Sequence, residues 1–170
     1  IAGRSHSMRR SRILPFQCAM LALTVVGTSV AASVSVRAQT VQYTSPAGVT
    51  YRALVDTGPV RRAQRAVAED PRNIAKLIEL GVAQSGARQF REAIETFSRG
   101  LAIEPNNALL LRWRGHRYLS VRQFDKALAD LTRGAKLDST IYGIWYHLGV
   151  VQFVRGDFVS AARSFARAQP

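Results

Sequence analysis

One phrase returns through the chain at a fixed distance: "AVAEDP" from Ala66, "GLAIEP" from Gly100, "GAKLDS" from Gly134, and a shortened echo at Ala168. Each step is 34 residues, the length of one helical hairpin and its turns. A unit that short cannot bury its own apolar face, so successive copies must stack and share a continuous core. This spacing predicts a quasi-one-dimensional stack and argues against a closed sheet or a single globular core.

Within each copy the apolar residues step by three and four, the period of an amphipathic helix. The first copy runs through Leu77, Leu80, Gly81 and Gln84, then Phe90, Ala93, Phe97, Gly100 and Pro105. The second has Leu111, Arg114, Gly115 and Tyr118, then Phe124, Ala127, Leu131, Gly134 and Ser139. The third has Trp145, Leu148, Gly149 and Gln152, then Phe158, Ala161, Phe165 and Ala168. Short polar stretches ("SGARQ", "SVRQ", "VRGD") separate two helices in each copy. Glycine inside a helix costs about 1 kcal/mol against alanine. Gly81, Gly115 and Gly149 in register therefore imply a packing reason, with Phe97, Leu131 and Phe165 filling the space they leave.

These positions resemble the tetratricopeptide repeat, whose pattern is W-x2-L-G-x2-Y, then A-x3-F, then P. The resemblance covers roughly residues 57–170 and implies an all-α, right-handed α-solenoid of antiparallel helix hairpins. It divides the chain into a capping half-repeat helix at 57–73, repeat 1 at 74–107, repeat 2 at 108–141 and a truncated repeat 3 at 142–170. Arrays of this family bind peptides or proteins in the concave surface lined by each first helix. Carried onto this sequence, that groove comprises Ile78, Glu79 and Val82, then Arg112, Trp113 and His116, then Tyr146, His147 and Val150. The lysines and asparagines with which one family subset clamps acidic chaperone tails are missing at the matching places. Trp113 and Tyr146 are expected to be exposed anchors, because Leu111, Tyr118, Trp145 and Leu148 already account for the inward face. Arg114 stands where the other copies place Leu80 and Leu148, and Asp130 where they place Thr96 and Ser164. An ion pair between the two is the expected consequence.

Residues 39–56 carry turn-forming and β-branched residues and read as a linker with a short strand at most. Upstream, residues 1–38 read as a signal peptide with a few preceding residues. Arg9, Arg10 and Arg12 precede an uncharged stretch from Ile13 to Val36. Val36 and Ala38 then give the small-x-small pattern before Gln39. Seven polar or small residues dilute this stretch, which favours cleavage over a retained inner-membrane anchor. The expected location is exported from a bacterium, periplasmic or secreted, with membrane contact only if the leader stays attached.

Of the 24 basic residues, five (Arg4, Arg9, Arg10, Arg12, Arg37) precede Gln39, leaving 19 against all 11 acids. That balance favours an acidic protein or peptide partner. Arginine and aromatic residues mix in "LRWRGHRYLSVR", yet their helical phase divides them between two faces, and no nucleic-acid partner is expected. No metal-ligand spacing, phosphate loop or nucleophile-base arrangement can be assembled. His116 and His147 can approach each other but lack a third ligand. The expectation is a scaffold that is not an enzyme and needs no cofactor. The alternative is the N-terminal interaction domain of a longer exported enzyme or of a membrane-anchored assembly factor.

Overall fold

The computed structural model describes residues 39–168, so the expected signal peptide at residues 1–38 lies outside the described residues. A two-stranded hairpin, β1 (Val41–Thr44) and β2 (Thr50–Arg52), comes first. Seven helices follow: α1 (Pro59–Glu69), α2 (Ile74–Gly86), α3 (Phe90–Ile103), α4 (Ala108–Ser120), α5 (Phe124–Leu137), α6 (Tyr142–Val154) and α7 (Phe158–Arg167). Helix pairs α2–α3, α4–α5 and α6–α7 are the three repeats, and α1 packs on α2 as the preceding half-repeat. No helix among the described residues is long and apolar enough to cross a membrane.

The helix starts follow from the sequence. Pro59 sits in the first turn of α1, where its missing N–H costs nothing. The Asp56 carboxylate accepts from the amides of Gly58, Val60 and Arg61 just there, and these bonds hold its carboxyl below the usual range. Asn73 and Asn107 cap α2 and α4 through Lys76 N and Leu110 N at 3.2 and 3.0 Å. In the turns inside each hairpin, Arg88, Arg122 and Gly156 occupy one register position and share a left-handed backbone, with φ of 54, 61 and 84°. Only the third copy uses the residue that adopts this region without strain.

First helices touch along the stack, α2 with α4 and α4 with α6, so the array bends toward them and their outer faces line its concave side. The packing glycines do what their register implies. A Cβ on Gly81 would fall 2.3 Å from the Phe97 ring, one on Gly115 2.7 Å from Leu131 Cγ, and one on Gly149 2.6 Å from the Phe165 ring. Phe97, Leu110, Leu111, Leu131 and Ile144 are fully buried in the core that results.

A polar bond also ties the two helices of each repeat. Thr96 Oγ1 donates to Gln84 Oε1 at 2.7 Å in repeat 1. Gln152 and Ser164 make the equivalent 2.7 Å bond in repeat 3. In repeat 2 the positions hold Tyr118 and Asp130, and Asp130 accepts instead from Arg114, Nε at 2.7 Å and Nη2 at 2.8 Å. The expected pair is present, and it is bidentate.

The stretch 39–56 is more than a linker. Gln42 is 1% exposed. Its side chain accepts from Arg91 N at 2.8 Å and donates to Glu92 at 3.0 Å, while its carbonyl accepts from Arg91 Nε at 2.9 Å. Leu54 N donates to Ala87 O at 2.7 Å. These bonds dock the hairpin onto the α2–α3 turn and the start of α3. A polar Gln in a strand reads as solvated from sequence, whereas here it satisfies the otherwise free N-terminal amide of Arg91.

Candidate functional site

The concave face is built from one register of side chains on α2, α4 and α6. Ile78 is half-buried against the Phe97 cluster, and Glu79 and Val82 are exposed on α2. On α4, Arg112, Trp113 and His116 are half-buried. On α6, Tyr146 is exposed, Val150 half-buried and His147 buried at 8% exposure. The nine positions therefore share a side of the array but differ in what they can offer.

Trp113 differs from its sequence expectation. Its ring stacks on Phe97, centroids 6.2 Å apart and planes within 13°, and it packs against the core cluster of α3 and α4. The Arg112 guanidinium covers it at 4.0 Å. Trp113 thus has a core role, because Phe97 lies close under Gly81 and leaves the adjoining space to the next repeat's tryptophan. Tyr146 behaves as expected of a free aromatic. It is 45% exposed and stacks with Tyr142, itself 53% exposed, at 6.4 Å.

Between α4 and α6 lies a basic seam. Arg112 rests against Gly143, whose missing side chain makes the space: a Cβ there would fall 2.4 Å from Nε. One turn on, the His116 and His147 rings lie 3.8 Å apart. Arg117 Nη2 sits 2.6 Å from His116 Nδ1. His147 Nδ1 bonds the Gly143 carbonyl, which places its hydrogen there and leaves Nε2 as the lone-pair nitrogen.

The charge balance of this seam is one-sided. Burial, the neighbouring Arg117, the second histidine and Arg112 all push His116 down, to about 2. Burial and the same two arginines push His147 to about 4, against the upward pull of the Gly143 carbonyl. Burial, with Arg112 beside it, pulls Arg117 down to about 10. Both imidazoles are therefore neutral at pH 7. Arg117 is 7% exposed, packs 5.3 Å over the Phe90 ring and makes no ion pair among the described residues. Its Nε, like that of Arg112, is buried without a hydrogen-bond partner. Among the described residues no group of three or more His, Cys, Asp and Glu is arranged to hold a metal ion.

Arg117, Tyr142 and Gly143 escaped the sequence reading. Arg117 did leave a signal: it stands in register with Ala83 and Val151, where the flanking repeats place apolar side chains. Gly143 lacks one, because the space it opens is filled from a different helix.

No family model and no curated protein matches the chain. Solved structures do. A crystal structure of MamA superposes with a TM-score of 0.59 at 20% identity, covering 64% of this chain and 64% of that one. MamA 41-end from Desulfovibrio magneticus RS-1 gives 0.58 at 19%, covering 64% and 62%. The second TPR of Spaghetti (RPAP3) bound to the HSP90 peptide SRMEEVD gives 0.56 at 23%, covering 65% of this chain and 98% of that domain. The chain thus spans less than two thirds of the MamA chains it resembles. Together with the 34-residue register and the packing glycines, these likenesses establish that the chain has the tetratricopeptide-repeat fold.

Proposed function

We propose that this protein is a non-enzymatic interaction scaffold that receives an acidic peptide or protein segment along the concave face of α2, α4 and α6. The observation that carries this reading is the placement of the exposed Tyr142–Tyr146 pair beside the arginines of the α4–α6 seam, which make no ion pair among the described residues. Aromatic and arginine side chains concentrate binding energy at interfaces. That one neighbour of this fold is bound to the peptide SRMEEVD supports a peptide-sized ligand.

Tyr146 is the informative substitution, since Trp113 also supports the core. Tyr146→Ala is expected to keep the helix content while weakening capture of the partner by about thirtyfold, or about 2 kcal/mol. Trp113→Ala is expected to lower the melting temperature as well. Capture of the same partner by both the native chain and a folded Tyr146→Ala variant at equal affinity would move the interface off the concave face.

We further propose that the scaffold works after export, on the strength of the basic start, uncharged stretch and small-x-small site of residues 8–38. Mass spectrometry of the mature protein should find Gln39, or its cyclised form, at the N-terminus. An intact membrane-extracted species containing Cys18 would instead make the leader an anchor.

A further inference from the structure

We propose that the α4–α6 seam is an oxyanion site, in which Arg117 and Arg112 hold the anion and His147 gains a proton at Nε2 as the site fills. The inference rests on the concave-face reading only for where the anion comes from. The site itself stands on geometry. Arg117 is more than nine-tenths buried, and its Nε points to no acceptor among the described residues. A buried cation without a counter-charge is costly to maintain, and a buried donor left unmade adds to that cost. Substituting the apolar residue of the flanking repeats would remove both costs, so the arginine is best explained by something that visits it.

What visits must be negative and must accept hydrogen bonds. Arg112 and Arg117 each carry a buried Nε–H with no hydrogen-bond partner among the described residues, and a guanidinium presents its donors in a fork that matches carboxylate or phosphoryl oxygens. The groups acting on His147 are Arg112, Arg117 and the tilted His116 ring from α4, with Tyr146 from α6 itself; none is an acid. Glu79, the acid on this face of α2, makes no ion pair among the described residues. An arriving anion would supply the missing counter-charge and raise the affinity of His147 for a proton. Nδ1 already donates to Gly143, so the proton goes to Nε2. His116 stays neutral, because its ring faces the Arg117 guanidinium.

Two pH dependences follow, and both have a definite sign. In the empty protein the histidines bind protons less readily than in the unfolded chain. Their share of stability is complete above about pH 6.5 and is lost as pH falls from there, toward about 4 for His147 and about 2 for His116. With an anion bound, the loss from His147 should be smaller and should stop at a higher pH, because its onset is set by the unfolded chain and only the folded pKa rises. Correspondingly, anion affinity should rise on acidification below neutrality, by at most about tenfold per pH unit for one proton taken up.

The test uses the full chain and two probes: sulfate, which does not titrate between about pH 5.5 and 7.5, and an N-acetylated hexaglutamate peptide, used above about pH 6 where its carboxylates stay ionised. Binding is followed by the His Cε1–H and Arg Nε–H resonances, and proton uptake by calorimetry in buffers of different ionisation enthalpy. A response to sulfate alone identifies a phosphoryl- or sulfate-like source, and a response to hexaglutamate identifies a carboxylate source; either supports the site. Arg117→Met should weaken the response at least tenfold without lowering the melting temperature. His147→Gln should bind the probe but lose the proton uptake. Tyr146→Ala should leave the sulfate response intact, so failure of the groove reading and failure of this one can be told apart. No response to either probe, or an equal response in folded Arg117→Met, would overturn the proposal, as would uptake that survives in His147→Gln.

Discussion

Replacing Asp130 with alanine is expected to cost about 3–5 kcal/mol of stability, far more than any exposed ion pair could explain. The Asp130 side chain is 10% exposed and that of Arg114 21%. Their bidentate bond is the largest influence on Arg114, raising its pKa above the usual value. Without the carboxylate, Arg114 retains the Ser98 hydroxyl at 3.1 Å and the Tyr118 ring 5.7 Å away, neither of which carries a counter-charge. A guanidinium in that position cannot recover its hydration without opening the seam between α4 and α5. The sharper half of the prediction is the repair. Writing Arg114→Leu, Tyr118→Gln and Asp130→Thr together copies the polar bond of repeat 1 into repeat 2. That triple variant should match or exceed the native stability, since a well-packed replacement of a buried pair is often neutral or better. Urea unfolding with linear extrapolation reads both. A loss below about 1 kcal/mol for Asp130→Ala would mean that the pair is solvated and energetically minor.

The same comparison of register positions shows why the fold was legible in the sequence and the site only partly so. Leu77, Leu111 and Trp145, or Phe97, Leu131 and Phe165, recur because every repeat solves one packing problem. A period of 34 residues therefore carries the helices, their pairing and the small-residue contacts. It carried Arg114–Asp130 as well, because two coupled departures from the pattern name each other. The seam is written in departures that do not come in complementary pairs. Arg117 replaces an apolar residue with no acid to match it, and Gly143 is small because Arg112 reaches over from the neighbouring helix. Trp113 was misplaced for a related reason. Helical phase assigns a residue to a face, but whether that face is open depends on how closely Phe97 rises beneath it. The docked hairpin was hidden because Gln42 earns its burial through bonds to Arg91 and Glu92, partners about fifty residues away.

The packing glycines offer a graded prediction, in which the same substitution has different costs along the stack. Gly81→Ala would set a Cβ 2.3 and 2.5 Å from two Phe97 ring atoms. Phe97 is fully buried, with Trp113 stacked over it, so the ring has nowhere to go. Overpacking of this kind typically costs about 1–3 kcal/mol and here should lie at the upper end, even after the better helix propensity of alanine. Gly149→Ala creates a contact almost as short, 2.6 Å to the Phe165 ring. Phe165, however, is only half-buried in α7, the last described helix, and can swing toward solvent. The cost there should stay within about 1 kcal/mol, because the propensity gain offsets most of the displacement. Phe97→Leu should rescue Gly81→Ala, so that the double variant is more stable than the two single losses add up to, by a coupling of about 1 kcal/mol or more. Equal costs at Gly81 and Gly149, or strict additivity with Phe97→Leu, would show that side-chain collision is not what keeps glycine in these helices.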